Sequence, residues 1–198
     1  MRKILVILIG IVTLLVGSRA APITGNFVSE VIGTGVSSLG VSGDGASAFV
    51  AVVTSGDQAI AYICDGENLA EWFRGPIRAD GLFEAQSNSL NAQITAQINA
   101  RSVVGAITLE GNRVLSFRVV PADGLAGLYR SDDMVQAQRF LGGWVVLPDG
   151  QQRGAVIGGG STRPGRKLEF RLGVVTTNLP ELVGLKPFQV TSAFLADQ

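Results

Sequence analysis

The stretch LNAQITAQIN, residues 90–99, decides the fold class. Apolar and polar residues alternate strictly along it: Leu, Ala or Ile occupies every second position, and Asn, Gln or Thr occupies the others. Successive side chains of a strand point to opposite faces of its sheet, whereas a helix would scatter these apolar residues around its circumference. The stretch therefore predicts a strand with one face in the core and the other in solvent or a polar lumen. The core-facing residues are Leu90, Ala92, Ile94, Ala96 and Ile98.

The segments on both sides of this strand have strand character too. SVVGAITL, the turn EGN and RVLSFRVV follow it, and AFVAVVT, the turn SGDQ and AIAYIC precede it. Asp65-Gly66 then separates AIAYIC from LAEWFRG, and Asp-Gly between two apolar runs favours a tight hairpin because glycine tolerates positive φ. Pro148-Asp149-Gly150 predicts a further hairpin within GGWVVLPDGQQRGAVI.

Roughly nine or ten short strands separated by turns predict an all-β fold, an antiparallel meander that closes into a barrel. Closure is favoured because an open sheet of this length would leave two edges of unpaired backbone groups. A β-sandwich is the alternative. SDDMVQAQRF, residues 131–140, is the one candidate helix, with Ser131 as its N-cap. Residues 158–167 are predicted to form a loop, and PFQVTSAFLA at the C-terminus a last strand.

The N-terminal segment has the layout of a secretory signal peptide. Two basic residues precede an apolar run over residues 4–16, and Ser18 and Ala20 are small residues at the positions that a signal peptidase recognises. We predict a signal peptide over residues 1–20, cleaved after Ala20. An uncleaved membrane anchor is the alternative, although the apolar run is shorter than the roughly 20 residues that cross a bilayer. Both interpretations place the protein outside the cytoplasm, secreted or in the cell envelope.

Composition divides the remaining chain into two parts. Residues 21–45 are rich in Gly, Ser and Thr without a sustained hydrophobic period, which predicts a linker or loosely held arm with one short strand or helix near residues 27–32. We therefore expect this arm to be dispensable for folding. Residues 46–198 contain the predicted strands and have the size of a single antiparallel β domain.

The charge balance argues against a nucleic-acid partner. The full chain has 16 basic and 16 acidic residues. Cleavage after Ala20 would remove Arg2, Lys3 and Arg19 and no acidic residue, which leaves 13 basic and 16 acidic residues, a net charge of −3. Proteins that bind nucleic acid usually present a strongly basic face. We predict no nucleic-acid partner, and contact with a membrane only if the N-terminal segment is retained.

The chain contains no histidine. This composition removes the commonest general base, the Ser-His-Asp and Cys-His arrangements and most zinc sites. GSTRPGRK, residues 160–167, lacks the Gly-Lys-Ser/Thr ending of a phosphate-binding loop, and we interpret it as a basic loop. We predict no catalytic residues, no metal site and no cofactor.

Carboxylates can act without histidine, as in glycoside hydrolysis. Glu71 and Glu84 lie on neighbouring predicted strands where they would share a face, and Asp44, Asp132 and Asp133 offer the oxygen ligands that calcium prefers. Acidic residues scattered among turns and solvent-facing positions are more commonly structural. These residues keep a carboxylate-based enzyme acting on a glycan as the alternative to a binding function.

Cys64 is the only cysteine and ends a predicted strand directly before the Asp65-Gly66 turn. A reactive thiol needs a nearby cation, a helix N-terminus or a metal, whereas Asp65 and Glu67 would oppose formation of a thiolate. Small buried cysteines commonly pack as apolar residues. We predict that Cys64 is a packing residue; an intermolecular disulfide is the alternative for an unpaired cysteine outside the cytoplasm.

Four aromatic residues in predicted strands are the candidate ligand-binding residues: Tyr62, Trp72, Tyr129 and Trp144. Such a cluster at the mouth of a barrel would suit a small apolar ligand or the face of a sugar. The alternative is that these rings fill the core.

The segments AYICDG, AEWFRG, AGLYR and GGWVVLPDG resemble a pattern of uncharacterised secreted or membrane-anchored bacterial β-rich domains, over residues 46–157. The resemblance implies an extracytoplasmic location and carries no activity. With the features above, it favours a binding or interaction module for a protein, a polymer or a small apolar ligand. The alternatives are the glycan-acting enzyme and a structural envelope protein whose arm, residues 21–47, pairs with a neighbouring copy.

The alternation in residues 90–99 predicts opposite outcomes for two neighbouring substitutions. Ile94→Asp places an unpaired charge in the core and should destabilise the protein by several kcal/mol. Thr95→Asp places the same charge in solvent and should have a mild effect. Thermal unfolding of the two variants measures the difference, and equal melting temperatures would contradict the assigned faces.

Overall fold

The structure, a computed structural model, describes residues 23–35, 48–89, 91–171, 174–177, 179, 182 and 184–196. The predicted signal peptide and Leu90 lie outside the described residues. No helix in the described part of the chain is long and apolar enough to cross a membrane.

The main sheet is an eight-stranded antiparallel meander that nearly closes into a barrel. Its strands are β1 (Gly25–Gly35), β2 (Phe49–Ser55), β3 (Gln58–Cys64), β4 (Ala70–Pro76), β5 (Leu82–Gln86), β6 (Ala92–Asn99), β7 (Ser102–Leu109) and β8 (Arg113–Pro121). Strands β1 to β4 pair in chain order, strands β5 to β8 do the same, and β8 also pairs with β1. The seam between β4 and β5 is held by the isolated bridges Phe73–Ser87 and Ile77–Phe83. The predicted all-β antiparallel meander is thus confirmed, and its main sheet is nearly closed into a barrel.

A second antiparallel sheet follows the barrel in the chain and covers one side of it. The remaining elements are β9 (Gly127–Val135), β10 (Gln138–Val146), β11 (Gln152–Gly158), β12 (Ser161–Pro164), β13 (Leu168–Arg171), β14 (Val174–Thr177), β15 (Phe188–Gln189), the 3₁₀ turn Glu110–Asn112 and the helix α1 (Ser192–Ala196). The strand order of the second sheet is β12-β11-β10-β9-β15, and a separate hairpin, β13–β14, packs against its far face.

The barrel interior is filled by side chains. The predicted alternation of β6 is confirmed for its described residues, since four alternate residues are buried and the polar residues between them are exposed. Large side chains from the neighbouring strands pack against them, because every strand turns one face inward. The interior therefore includes Phe83, Ala92, Ile94, Ala96, Ile98, Val103, Ile107 and Phe117.

Strands β2 and β3 are buried on both faces. Val50 and Val52 point into the barrel, whereas Phe49, Ala51 and Val53 point outward and pack against the second sheet. Strands covered on both sides lose the apolar–polar alternation and become continuous apolar runs. This double burial explains why FVAVV and AIAYIC lack the period that β6 shows.

The structure corrects the predictions made for three segments after residue 130. Residues 131–140 form the β9–β10 hairpin instead of a helix, with Gln136 and Ala137 at positive φ in its turn. Ser131 is buried inside β9 and caps no helix. The predicted loop over residues 158–167 contains β12, and the predicted last strand is only two residues long before α1 begins. In residues 131–140, pairing between β9 and β10 overrides the weak local helix signal.

The predicted arm also needs correction, because Gly25–Gly35 forms the barrel strand β1. It pairs with β2 on one side and with β8 on the other. Phe27 is buried in the barrel interior, and Val28 is buried against the second sheet. A strand with partners on both edges within its own chain is an integral part of the sheet, unlike a free arm.

Removal of β1 should prevent cooperative folding, contrary to the expectation from composition. A chain of residues 46–198 would lack the strand that joins β2 to β8 and would expose two sheet edges together with their apolar faces. Thermal unfolding followed by circular dichroism, with the chain of residues 21–198 as the control, tests this. A similar cooperative transition in both chains would show that the barrel closes without β1.

Candidate functional site

The four predicted ligand-binding aromatics form two pairs, separated by the second sheet. Tyr62 and Trp72 lie between the barrel and that sheet, with ring centroids 4.3 Å apart. Tyr129 and Trp144 are cross-strand neighbours on its opposite face. The two sets do not meet, and neither lies at a barrel mouth. All four side chains are at most 3% exposed, so they pack in apolar layers.

Gly143 allows the rings of Tyr62 and Trp72 to lie close to the backbone of β10. A Cβ at this position would clash with the Tyr62 ring and would lie 2.7 Å from Cζ2 of Trp72. The Tyr62 hydroxyl donates a hydrogen bond to the Gly143 carbonyl oxygen over 3.2 Å. On β9, the residue opposite Gly143 is Arg130. The bare backbone of Gly143 thus lets the aromatic pair of the barrel reach the second sheet beside Arg130.

A cleft of about 440 Å³ lies at the edge of this contact, where β3 and β4 of the barrel face β9, β15 and α1. A volume of this size lies within the range of small-molecule sites. The lining combines aromatic rings with charged and amide groups. It consists of Ile60, Trp72, Phe73, Arg74, Asn88, Arg130, Asp132, Phe188 and Phe194.

The apolar wall of the cleft consists of two phenylalanine rings that are far in sequence from Trp72 at the base. Phe188 of β15 and Phe194 of α1 pack together with ring centroids 5.1 Å apart. Phe188 is 37% exposed, so its ring is accessible at the rim, whereas Trp72 is almost fully buried at the base. An apolar ligand body would cover the exposed part of Phe188 on binding, which removes apolar surface from water.

Arg130 is held in place by a hydrogen-bonded carboxylate. Its guanidinium lies 5.1 Å from the centroid of Trp72 and donates to Asp132 over 2.8 Å. Arg139 donates to both oxygens of Asp132, over 2.6 and 2.7 Å. The hydrogen bond from Arg139 and then that from Arg130 lower the pKa of Asp132 to about 2. Asp132 therefore stays ionised at neutral pH and fixes Arg130 beside the aromatic base.

Arg74 brings a second cation to the cleft. Its guanidinium has no hydrogen bond or ion pair with another residue in the described part of the chain, and the residue is exposed. Asn88 lies nearby, since its backbone N–H donates to the carbonyl oxygen of Trp72 over 2.9 Å. The indole N–H of Trp72 is buried without an acceptor among the described residues. Hydrogen-bond donors thus predominate around the cleft.

The structure does not bring the candidate carboxylates together. Glu71 accepts a hydrogen bond from Ser89 over 2.6 Å, whereas Glu84 lies 3.7 Å from Arg78 in an exposed ion pair. Residues 71 and 73 of β4 share the inward face, while residue 84 follows the inward-facing Phe83 and points to the other side. The predicted shared face is therefore wrong, and the two carboxylates do not form a pair across a cleft.

The proposed calcium ligands also have other partners. Both oxygens of Asp132 accept hydrogen bonds from arginines, and Asp133 accepts one from the backbone N–H of Lys186 over 2.9 Å. Asp44 lies outside the described residues. Within the described ranges, no three acidic or cysteine side chains group closely enough to hold a metal ion.

Cys64 is buried at the end of β3, as the sequence predicted. Burial is the main cause that raises the pKa of its thiol to about 12, and Asp65 raises it further. The turn that follows is held by Asp65, whose Oδ1 accepts hydrogen bonds from three backbone N–H groups within the next four residues. Gly66 supplies the positive φ in this turn. The AYICDG stretch is thus a strand followed by a turn.

Sequence reasoning named two residues of the cleft, Trp72 as a ligand-binding aromatic and Asp132 as a possible calcium ligand, and missed the others. Phe188 reaches the site because β15 pairs with β9 opposite Arg130. This pairing joins positions nearly 60 residues apart in the chain, and no local pattern indicates it. For Arg74, the sequence offered one signal, a charged residue within the predicted strand LAEWFRG.

The thiol of Cys64 should be inert in the folded protein. With a pKa of about 12, it stays protonated at pH 8, and only the thiolate reacts quickly with maleimides. We expect labelling to require denaturant, and a non-reducing gel to show monomer. Rapid labelling of the native protein, or a dimer band that disappears with reductant, would contradict the buried position.

Comparison with known proteins identifies no relative. No protein-family model, no curated protein and no solved structure matches the chain. The geometry and chemistry of the cleft therefore carry the functional argument.

Proposed function

We propose that this protein is an extracytoplasmic binding module that holds a small molecule in the cleft between the barrel and the second sheet. The observation that carries the proposal is the composition of the cleft: an accessible phenylalanine wall, Trp72 at the base and two guanidinium groups around a volume of about 440 Å³. Ligand sites commonly combine an apolar lining with a few polar groups that orient the ligand.

The barrel interior is a less suitable site. Its described side chains pack into a continuous apolar core with exposures of a few per cent or less. Protein cores of this kind are packed nearly as densely as organic crystals, so a ligand would have to displace core side chains. The cleft, in contrast, needs no rearrangement of the core.

The low pKa of Asp132 and the separate positions of the other two carboxylates favour binding over catalysis. Asp132, the acidic residue of the cleft, is held by two arginines and has a pKa of about 2. A general acid or base works best with a pKa near the working pH. Asp132 therefore suits the role of a fixed structural anion, and Glu71 and Glu84 are not placed to act together.

The extracytoplasmic part of the proposal rests on the N-terminal pattern of a signal peptide. Fractionation of cells that express the protein, combined with N-terminal sequencing of the product, tests it. A mature N-terminus at Ala21 in the extracytoplasmic fraction is the expected result. An intact N-terminus in the cytoplasmic fraction would contradict it.

The cleft is tested with N-phenyl-1-naphthylamine and 8-anilinonaphthalene-1-sulfonate, which share one ring system and gain fluorescence in apolar surroundings. We expect at least one of them to bind with saturation at one site per chain. Phe188→Ala should weaken that binding roughly tenfold, because about 1.4 kcal/mol of aromatic contact is lost.

Met134→Ala is the matched control, because Met134 is 65% exposed and does not line the cleft. Both variants should keep the wild-type melting transition within a few degrees. The proposed site would be contradicted if neither dye showed saturable binding. It would also be contradicted if Phe188→Ala and Met134→Ala bound the dye with equal affinity.

A further inference from the structure

The polar side chains of the cleft supply hydrogen-bond donors and positive charge. An arginine side chain has five N–H donors and no acceptor. Arg74 and Arg130 both line the cleft, and Asn88 adds an amide that can donate. Among the described residues that line the cleft, Asp132 is the only one with a carboxylate, and both of its oxygens already accept hydrogen bonds from arginines.

Charge around the cleft is unbalanced. The guanidinium groups of Arg130 and Arg139 both pair with the carboxylate of Asp132, and Arg74 adds a third guanidinium to the lining of the cleft. Arg139 and Arg130 share that carboxylate, so it neutralises at most one of them. Arg74 makes no ion pair within the described residues. A bound group with negative charge would offset this excess and would form charge-assisted hydrogen bonds.

The arrangement of Arg130 limits where such a group can bind. Its guanidinium lies 5.1 Å from the centroid of the Trp72 ring and donates a hydrogen bond to an oxygen of Asp132 over 2.8 Å. Its side chain is 21% exposed and lines the cleft. Because the guanidinium is held before binding, less side-chain entropy is lost when an anion binds to it.

We propose that the small molecule bound in this cleft carries an anionic oxygen group, such as a carboxylate, sulfonate or phosphate, which Arg74 and Arg130 bind while its apolar body lies against Phe188 and Phe194. This inference rests on the proposed function, since it names the chemical class of the ligand for the same cleft. Guanidinium groups match the geometry of such anions with pairs of hydrogen bonds.

The two dyes introduced above separate this inference from the proposed function, because they differ only in the sulfonate group. We expect 8-anilinonaphthalene-1-sulfonate to bind at least tenfold more tightly than N-phenyl-1-naphthylamine. Its affinity should fall as salt is raised from 0.05 to 0.5 M, while that of the neutral dye should stay nearly constant. Displacement of the neutral dye by the anionic dye shows that both occupy one site.

Arg74→Gln and Arg130→Gln should each reduce the affinity of the anionic dye about tenfold and leave the neutral dye unaffected. Arg101→Gln is the matched control, because Arg101 is an exposed arginine in the β6–β7 turn and does not line the cleft. Arg74→Gln is the decisive variant, since the Arg74 guanidinium has no partner in the described part of the chain and its loss should not disturb folding.

Each outcome has a separate meaning. Equal affinities for the two dyes, both reduced by Phe188→Ala, would support the binding site and overturn the anionic ligand class. A preference for the anionic dye that neither arginine variant reduces would place the anion elsewhere and also overturn the inference. Absence of saturable binding by both dyes would overturn the inference together with the proposed function.

Discussion

The whole structure depends on the burial of β2 and β3 on both of their faces. One face packs into the barrel interior through Val50, Val52 and Ile63, and the other packs against the second sheet through Phe49 and Tyr62. Full burial of each such side chain contributes about 1.5–3 kcal/mol. The two strands are therefore a wall shared by two apolar layers, the barrel interior and the layer between the barrel and the second sheet.

The contact between Tyr62, Trp72 and Gly143 determines how closely the second sheet approaches this wall. Because Gly143 has no side chain, the two rings lie directly on β10, and the Tyr62 hydroxyl satisfies its hydrogen bond on the Gly143 carbonyl oxygen. Arg130 then covers Trp72 from β9. Residues of β15 and α1 form the other side of the cleft, whose aromatic base, Trp72, is also part of the core between the barrel and the second sheet.

This arrangement explains how a packed protein leaves an accessible cleft beside a filled barrel. The residues that hold the layers together, Tyr62 and Trp72, are nearly inaccessible, whereas Phe188 and Arg74 at the rim are exposed. Asp132 and Arg139 add a fixed ion-pair network that holds Arg130. Stability and the proposed ligand binding would therefore depend on different residues of the same region, and we expect changes at the rim to have little effect on folding.

Local sequence patterns determined the fold class, the hairpins and the faces of the half-buried strands. The alternation from Ala92 to Ile98 and the turns at Asp65-Gly66 and Pro148-Asp149-Gly150 depend on backbone geometry within a few residues, which is the range over which a sequence pattern is informative. The burial of Cys64 followed from the same reasoning.

Tertiary structure decided the role of β1, because its Gly-rich composition hides a strand whose two neighbours, β2 and β8, supply the hydrogen bonds that hold it. It also decided that residues 131–140 form a hairpin, that the four aromatics separate into two layers, and that Arg74, Arg130 and Phe188 converge on one cleft. These features arise from pairing and packing between distant segments, and the energy of such contacts exists only after the chain has folded.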